Sequence, residues 1–157
     1  MKKPLKVDLN QLKIDQYGFV FKDIDKQAEI MEEIYNIPKF NVSEHKDLEI
    51  QYRGKKSIIS QRIALSRLGN IQLELIEHEE GDSIYQEFLD AGREGFHHIS
   101  YFIDNLDYYI KDFIDAGFEI IHSGLYWRQN VAYFDTEETF GMLMEFQETI
   151  KRKKKKD

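Results

Sequence analysis

Two stretches of the chain repeat one another. Gln16–Asp25 set over His98–Asp107, an offset of 82 residues, pairs a polar residue, an apolar run, an acidic turn and a helix start. Ile71–Glu77 set over Met142–Glu148, an offset of 71, pairs two strand-like runs with glutamates in the same places. A repeated supersecondary unit cannot bury its apolar face alone, so the two copies are expected to share one core. Length agrees, because 157 residues make one compact domain and are too few for two independent ones.

Each copy continues into a helix-period segment, with Ala28, Ile30, Met31, Ile34 and Tyr35 in the first. In the second, Leu106, Tyr109, Ile110, Phe113 and Ile114 stop at Gly117. The first copy is longer by 11 residues, and the excess is expected as loop between Pro38 and Ser60, where charged and turn residues dominate. Two further strands fit in each half, near Leu48–Tyr52 and Gln61–Arg67, then Phe118–His122 and Asn130–Phe134. Each half therefore reads β-α-β-β-β, an α+β architecture with modules over about residues 14–78 and 96–148 of a single domain, 14–148. Ser83-Ile84-Tyr85-Gln86 has capping-box spacing, so a short helix from about Ser83 to Leu89 is expected between the modules.

Composition removes several function classes. With no cysteine there is no disulfide framework, no thiolate metal site and no thiol nucleophile, so a bound metal must use imidazole, carboxylate or amide ligands. The net charge is −7, and the six positive charges of Lys151–Lys156, offset by Asp157, leave the first 150 residues five units more negative, at −12. An acidic body disfavours nucleic acid as a partner. The basic segment 149–157 is expected to be a disordered, solvated end without a role. No apolar signal core follows the N-terminus and no window approaches a membrane span, so a cytoplasmic protein is expected.

Strand parity then singles out four polar residues, since side chains alternate faces with a period of two. Gln16 lies opposite Tyr17, Phe19 and Phe21, and His98 lies opposite Ile99, Tyr101 and Ile103. Glu74 faces away from Leu73 and Leu75, as Glu145 does from Met144 and Phe146. Taken singly, each has an ordinary explanation: a strand-end amide, a packed histidine, a solvent-facing carboxylate. Taken together, a twofold pairing of the modules brings all four to one concave surface. Two carboxylates held close repel, and a divalent cation cancels their charge, so a metal accounts for the set.

At these residues the chain resembles the vicinal oxygen chelate superfamily, the glyoxalase fold, whose paired β-α-β-β-β modules cup a divalent metal. Within it the pattern is most similar to methylmalonyl-CoA epimerase: Leu68-Gly69-Asn70 before Glu74-Leu75-Ile76, Ser83-Ile84 leading to Phe88-Leu89, and the run Gly95-Phe96-His97-His98-Ile99. The resemblance covers about Ile14 to Glu148 and implies metal ligands at Gln16, Glu74, His98 and Glu145. It implies one divalent ion (Co, Zn, Ni, Mn or Mg) and abstraction of a proton beside a thioester carbonyl, with Glu145 and Glu74 as the catalytic carboxylates. Two features depart from the epimerase pattern. Gln16 stands where histidine is usual, giving a set similar to one form of glyoxalase I (lactoylglutathione lyase), and Gly124–Gln129 is bulkier and more aromatic than the epimerase loop. A glyoxalase I-like isomerisation of a hemithioacetal is the second expectation, and a non-catalytic ligand-binding or resistance protein on the same fold is the third.

The expected partner is a small acyl-CoA, thioester or hemithioacetal, and the expected assembly is a homodimer. Trp127 and Arg128 are candidate substrate contacts, and Arg53-Gly54-Lys55-Lys56 could meet carrier phosphates or form an ordinary charged hairpin edge. His97 is expected as a packed or surface histidine, and His45, His78 and His122 as surface residues. Inversion at a carbon needs a second acid or base on the opposite face, and no such group is identified between Leu48 and Ser66.

Overall fold

The computed structural model describes residues 1–151. After a short 3-10 turn at Leu9–Gln11, the first module is β1 (Gln16–Val20), α1 (Ile24–Tyr35), β2 (Asn41–Tyr52), β3 (Lys55–Leu68) and β4 (Ile71–Glu80). The connecting helix α2 (Ile84–Asp90) leads to β5 (Gly95–Phe102), α3 (Leu106–Asp115), β6 (Ile120–Tyr126), β7 (Gln129–Phe134), the single turn α4 (Glu137–Phe140) and β8 (Leu143–Thr149). Residues 152–157, most of the basic run, lie outside the described residues. None of the described helices is long and apolar enough to cross a membrane.

The repeat extends to the helix caps. Asp23 accepts a hydrogen bond from Lys26 N at 3.0 Å, and Asn105, 82 positions later, accepts one from Tyr108 N at 3.3 Å, so each long helix starts on a side-chain oxygen. Helix α3 ends as the sequence indicates, with Gly117 at φ 95° and Phe118 N bonded to Phe113 O. Only half of the capping box forms at α2. Ser83 Oγ accepts from Gln86 N at 3.1 Å, while the Gln86 amide turns forward to Asp90.

The extra length of the first module corrects the expectation of a loop. Residues 41–68 form a long hairpin whose strands have 12 and 14 residues, against 7 and 6 for the corresponding β6 and β7. The alternating charge that suggested a loop is the solvent face of this hairpin, in which Glu44, Lys46, Lys55 and Lys56 are exposed. Bulges absorb local irregularity, one of them between His45 and Leu48, where Asp47 takes φ 52°.

The eight strands close into a ring in the order β1-β4-β3-β2-β6-β7-β8-β5. Each module supplies four neighbours, and two contacts join them. β1 pairs antiparallel with β5 along its length, whereas β2 meets β6 only at Gln51–Ser123 and Tyr52–His122. Both junctions form within one chain, so a second copy completes neither. Among the described residues the rest of β2 has no strand partner on that side, and a cavity opens there.

Packing follows parity. Outside the ring, Ile24 and Ala28 of α1 pack on Leu73, Leu75 and Ala64, and Leu106 and Phe113 of α3 pack on Phe134, Met144 and Phe146. Inside, Val20, Ile50, Ile59 and Ile76 pack with Ile84, Tyr85 and Phe88 of α2. Burying such side chains stabilises the fold by about 1.5–3 kcal/mol each.

Candidate metal centre and active-site cavity

The ring interior that is not filled by apolar side chains is a cavity of about 600 Å³ lined by both modules. Four adjacent strands, β4, β1, β5 and β8, form its floor and carry Glu74, Gln16, His98 and Glu145. The structure brings these four together. His98 Nε2 lies 3.4 Å from Glu74 Oε2, 3.4 Å from Glu145 Oε2 and 3.4 Å from Gln16 Oε1. The Tyr133 hydroxyl of β7 stands 3.5 Å from the same nitrogen.

Local sequence explains why the imidazole sits there. His98 and Gly18 are paired across β5 and β1, and a Cβ added to Gly18 would lie 1.9 Å from His98 Cε1. Only glycine leaves room for the ring, which is fully buried. The other nitrogen, Nδ1, is 3.0 Å from His97 Nδ1, which sets the ring's orientation from behind. His97 is buried among Tyr85, Phe88 and Tyr133, and burial, reinforced by the neighbouring His98, holds its pKa well below the ordinary value.

Two glutamines that sequence reasoning passed over orient the other groups. Gln72 Oε1 accepts from Gln16 Nε2 at 2.7 Å, which turns the Gln16 carbonyl oxygen toward His98. Gln147 Nε2 reaches Glu145 Oε2 at 2.9 Å, Ser100 Oγ at 3.1 Å and Gln16 Oε1 at 3.2 Å. Both were legible by parity, since Gln72 and Gln147 lie two residues from Glu74 and Glu145 and therefore on the same face.

The electrostatics separate the two carboxylates. Burial raises the Glu74 pKa, the nearby His98 opposes the rise, and the charge on Glu145 adds to it. Burial works in the same direction on Glu145, but hydrogen bonds from His98, Ser100 and Gln147 outweigh it and hold this carboxyl low. Among the described residues, buried Glu74 Oε2 has no hydrogen-bond partner, and its near neighbour is His98 Nε2 at 3.4 Å. For His98 itself, burial disfavours the charge, yet the two carboxylates raise the pKa to about 9.

The donor set fits a divalent ion: one imidazole nitrogen, one amide oxygen and two carboxylates suit Zn, Co, Ni, Mn or Mg. Among the described residues, no three His, Asp or Glu side chains stand at coordinating geometry. His98 Nε2 lies within 3.4 Å of an oxygen on each carboxylate, so the donor types are gathered at one place. An underused buried carboxylate oxygen facing a cavity is the atom such an ion would satisfy.

The remaining candidates distribute unevenly. Trp127, at the β6–β7 turn with φ 56°, is 80% exposed and lines the cavity mouth. Arg128 does not line it. Its Nε donates to Ile150 O at 2.9 Å, fastening the end of the last strand. Arg53 pairs with Glu87 of α2 at 2.6 Å and Lys56 with Glu49 at 3.1 Å, the hairpin-edge arrangement.

The expectation of surface positions for His122, His45 and His78 is corrected. His122 is fully buried between Tyr85 and Tyr133 and is hydrogen-bonded to the Tyr126 hydroxyl, because β6 turns this face into the ring. His45 is half-buried on the cavity wall, with Nε2 2.9 Å from Ser43 Oγ and its ring 5.3 Å from that of Trp127. His78 is also half-buried, bonded to Gly81 O at 2.6 Å.

The model of the Glyoxalase/Bleomycin resistance protein/Dioxygenase superfamily matches residues 15–133, and the chain belongs to that superfamily. Its eight-stranded α+β architecture is the glyoxalase fold. A hypothetical protein from Bacillus halodurans is 22% identical, with a TM-score of 0.65 over 92% of this chain and 98% of that one. A variant of Streptomyces coelicolor methylmalonyl-CoA epimerase in complex with 2-nitronate-propionyl-CoA is 20% identical, with a TM-score of 0.69 over 88% and 94%. Methylmalonyl-CoA epimerase from Mycobacterium tuberculosis is 17% identical, with a TM-score of 0.67 over 88% of each chain. At these identities the likeness is one of fold. The search of curated proteins gives no significant match.

Proposed function

We propose that this superfamily member is an isomerase of the methylmalonyl-CoA epimerase type, removing and returning a proton beside a thioester carbonyl. The observation that carries this reading is the convergence of Gln16, Glu74, His98 and Glu145 on the cavity floor, with Glu74 Oε2 lacking a hydrogen bond. The similarity in fold to epimerases, one of them in complex with 2-nitronate-propionyl-CoA, supports the substrate class. These four residues would hold one divalent ion, which when bound supplies Lewis-acid polarisation of a carbonyl oxygen.

The chain's own groups do the rest. Glu145 and Glu74 are the proton acceptors on the floor side, and the unused lone pairs of Glu74 Oε2 support that role for it. Gln72 and Gln147 hold Gln16 and Glu145 in register while a proton moves. Tyr133, whose phenol burial keeps neutral, lines the cavity with its hydroxyl 2.8 Å from that of Tyr85, and with Tyr85 as the donor of that pair its O–H can reach oxygen charge as it develops.

The test is deuterium incorporation at the α-carbon of methylmalonyl-CoA, with cobalt-loaded protein in heavy water against a metal-stripped control. Exchange that requires metal, and falls at least about 100-fold in Glu145→Gln with the fold intact, is the expected result. No exchange by protein with metal demonstrably bound rejects the substrate reading. A glyoxalase I-like isomerisation of a hemithioacetal is the second reading, favoured by the amide at Gln16. It predicts turnover of the methylglyoxal–glutathione adduct in that case.

A further inference from the structure

The epimerase reading leaves one requirement unmet, a proton carrier on the face of the substrate away from the carboxylates. We infer that His45 is that group, an acid–base catalyst reaching the reacting carbon from the wall opposite the Gln16–Glu74–His98–Glu145 floor.

The argument rests on the ring's register. β2 is the fourth strand from β5 in either direction, so it is diametrically opposite the strand that carries His98. Strands of a closed sheet are tilted, so hydrogen-bonded rows spiral and the two ways round reach β2 at different levels. From Glu74 the row passes through Leu65 to Asn41. From Glu145 it passes through Tyr133 and His122 to Tyr52. The segment of β2 level with the floor lies between these ends, and of that segment Ser43 and His45 line the cavity.

The local chemistry suits the role. Ser43 Oγ holds His45 Nε2 at 2.9 Å, which leaves Nδ1 for a ligand, and the Trp127 ring at 5.3 Å shelters the imidazole at the mouth. Burial sets its pKa somewhat below the ordinary value, so the neutral, proton-accepting form is available near pH 7. The tyrosines lining the cavity, Tyr85, Tyr126 and Tyr133, have pKa values raised well above 10 by burial and keep their protons.

The inference depends on the epimerase reading and completes its steps. Glu145 takes the α-proton of one epimer: the C–H bond breaks, its electron pair passes into the carbonyl as an enolate, and the proton becomes a carboxyl O–H. The His45 imidazolium then gives a proton to the same carbon from the other face, forming the new C–H bond and leaving neutral imidazole. Exchange with solvent resets both groups, and the opposite epimer runs the sequence with the roles reversed.

Each epimer of methylmalonyl-CoA, incubated in heavy water with wild-type protein and with His45→Gln, separates the possibilities. Loss of epimerisation by about 100-fold or more, with exchange retained within a few-fold for one epimer only, is expected, because the floor-side carboxylate still removes and returns a proton on its own face. Partial recovery of epimerisation in His45→Glu, at unchanged metal content, would add support. Wild-type epimerisation rates in His45→Gln, or equal loss of exchange for both epimers, overturn the assignment and leave the epimerase reading standing. Absence of exchange in the wild type rejects both.

Discussion

Replacing Gly18 by alanine tests the site through packing alone. The added Cβ would stand 1.9 Å from Cε1, 2.2 Å from Nε2 and 2.4 Å from Nδ1 of His98, where ordinary contact begins near 3.4 Å, so the ring must retreat by about 1.5 Å. It is fully buried between Gly18, His97 and Tyr133, so it must push against these neighbours or swing toward the cavity and the carboxylates. A displacement of that size breaks its 3.4 Å contacts with Glu74, Glu145 and Gln16. Overpacking costs about 1–3 kcal/mol, and loosening a buried ion pair adds to it, so a loss of about 3 kcal/mol is expected. For a chain of this length that is a fall in Tm of roughly 6–12 °C. Metal affinity should fall by about 10–100-fold, the usual effect of misorienting a ligand. Differential scanning calorimetry and cobalt titration of the variant measure both. Gly69→Ala is the control: its φ of 60° imposes strain, but nothing lies within 4 Å of the new Cβ, so stability should drop by about 1 kcal/mol with cobalt binding unchanged. Wild-type Tm and cobalt affinity in Gly18→Ala would refute the packing argument.

Other perturbations separate structure from chemistry. Saturating cobalt should raise Tm, by about 2.7 kcal/mol of added stability at a hundredfold excess over Kd, and His98→Ala should abolish that gain. His122 is surrounded by Tyr126 on its own strand, Tyr133 on β7 and Tyr85 on α2, with the charges of Glu145, His98 and His78 further out. Burial dominates and lowers its pKa from 6.5 to about 3, so the unfolded chain binds a proton there that the folded one does not. That contribution to stability is complete above pH 6.5 and is lost by about 1.4 kcal/mol per unit as pH falls toward 3, so urea melts of His122→Phe should show a flatter profile between pH 6 and 4.5. Asp112 accepts bonds from Lys6 N and Val7 N at 2.9 Å, so Asp112→Ala should cost about 1–3 kcal/mol and open the N-terminal arm to limited proteolysis without changing cobalt affinity.

Much of this molecule is written locally. The match of Gln16–Asp25 to His98–Asp107 reappears as two equivalent helix caps, and period-two alternation places Glu74 and Glu145 opposite the core leucines and methionine of their strands. Apolar periodicity alone yields the two modules and the parity of the four site residues. The length of β2 and β3 was illegible for a physical reason: a hairpin with one solvated face and a loop share the same charged composition. The buried position of His122 was hidden in a similar way, since the polar appearance of a histidine carries no information on which strand will face it across the ring.

What sequence alone determined is therefore the face on which each residue lies, because side-chain alternation is a property of one strand. Which faces meet was decided only by the closed sheet. Pairing of the neighbouring strands β4, β1, β5 and β8 sets Glu74 and Glu145 against His98 and makes Gly18 a steric necessity, and closure of the ring carries His45 to the wall across from them. Those relations are sums over pairings far apart in the chain, and no local period records them.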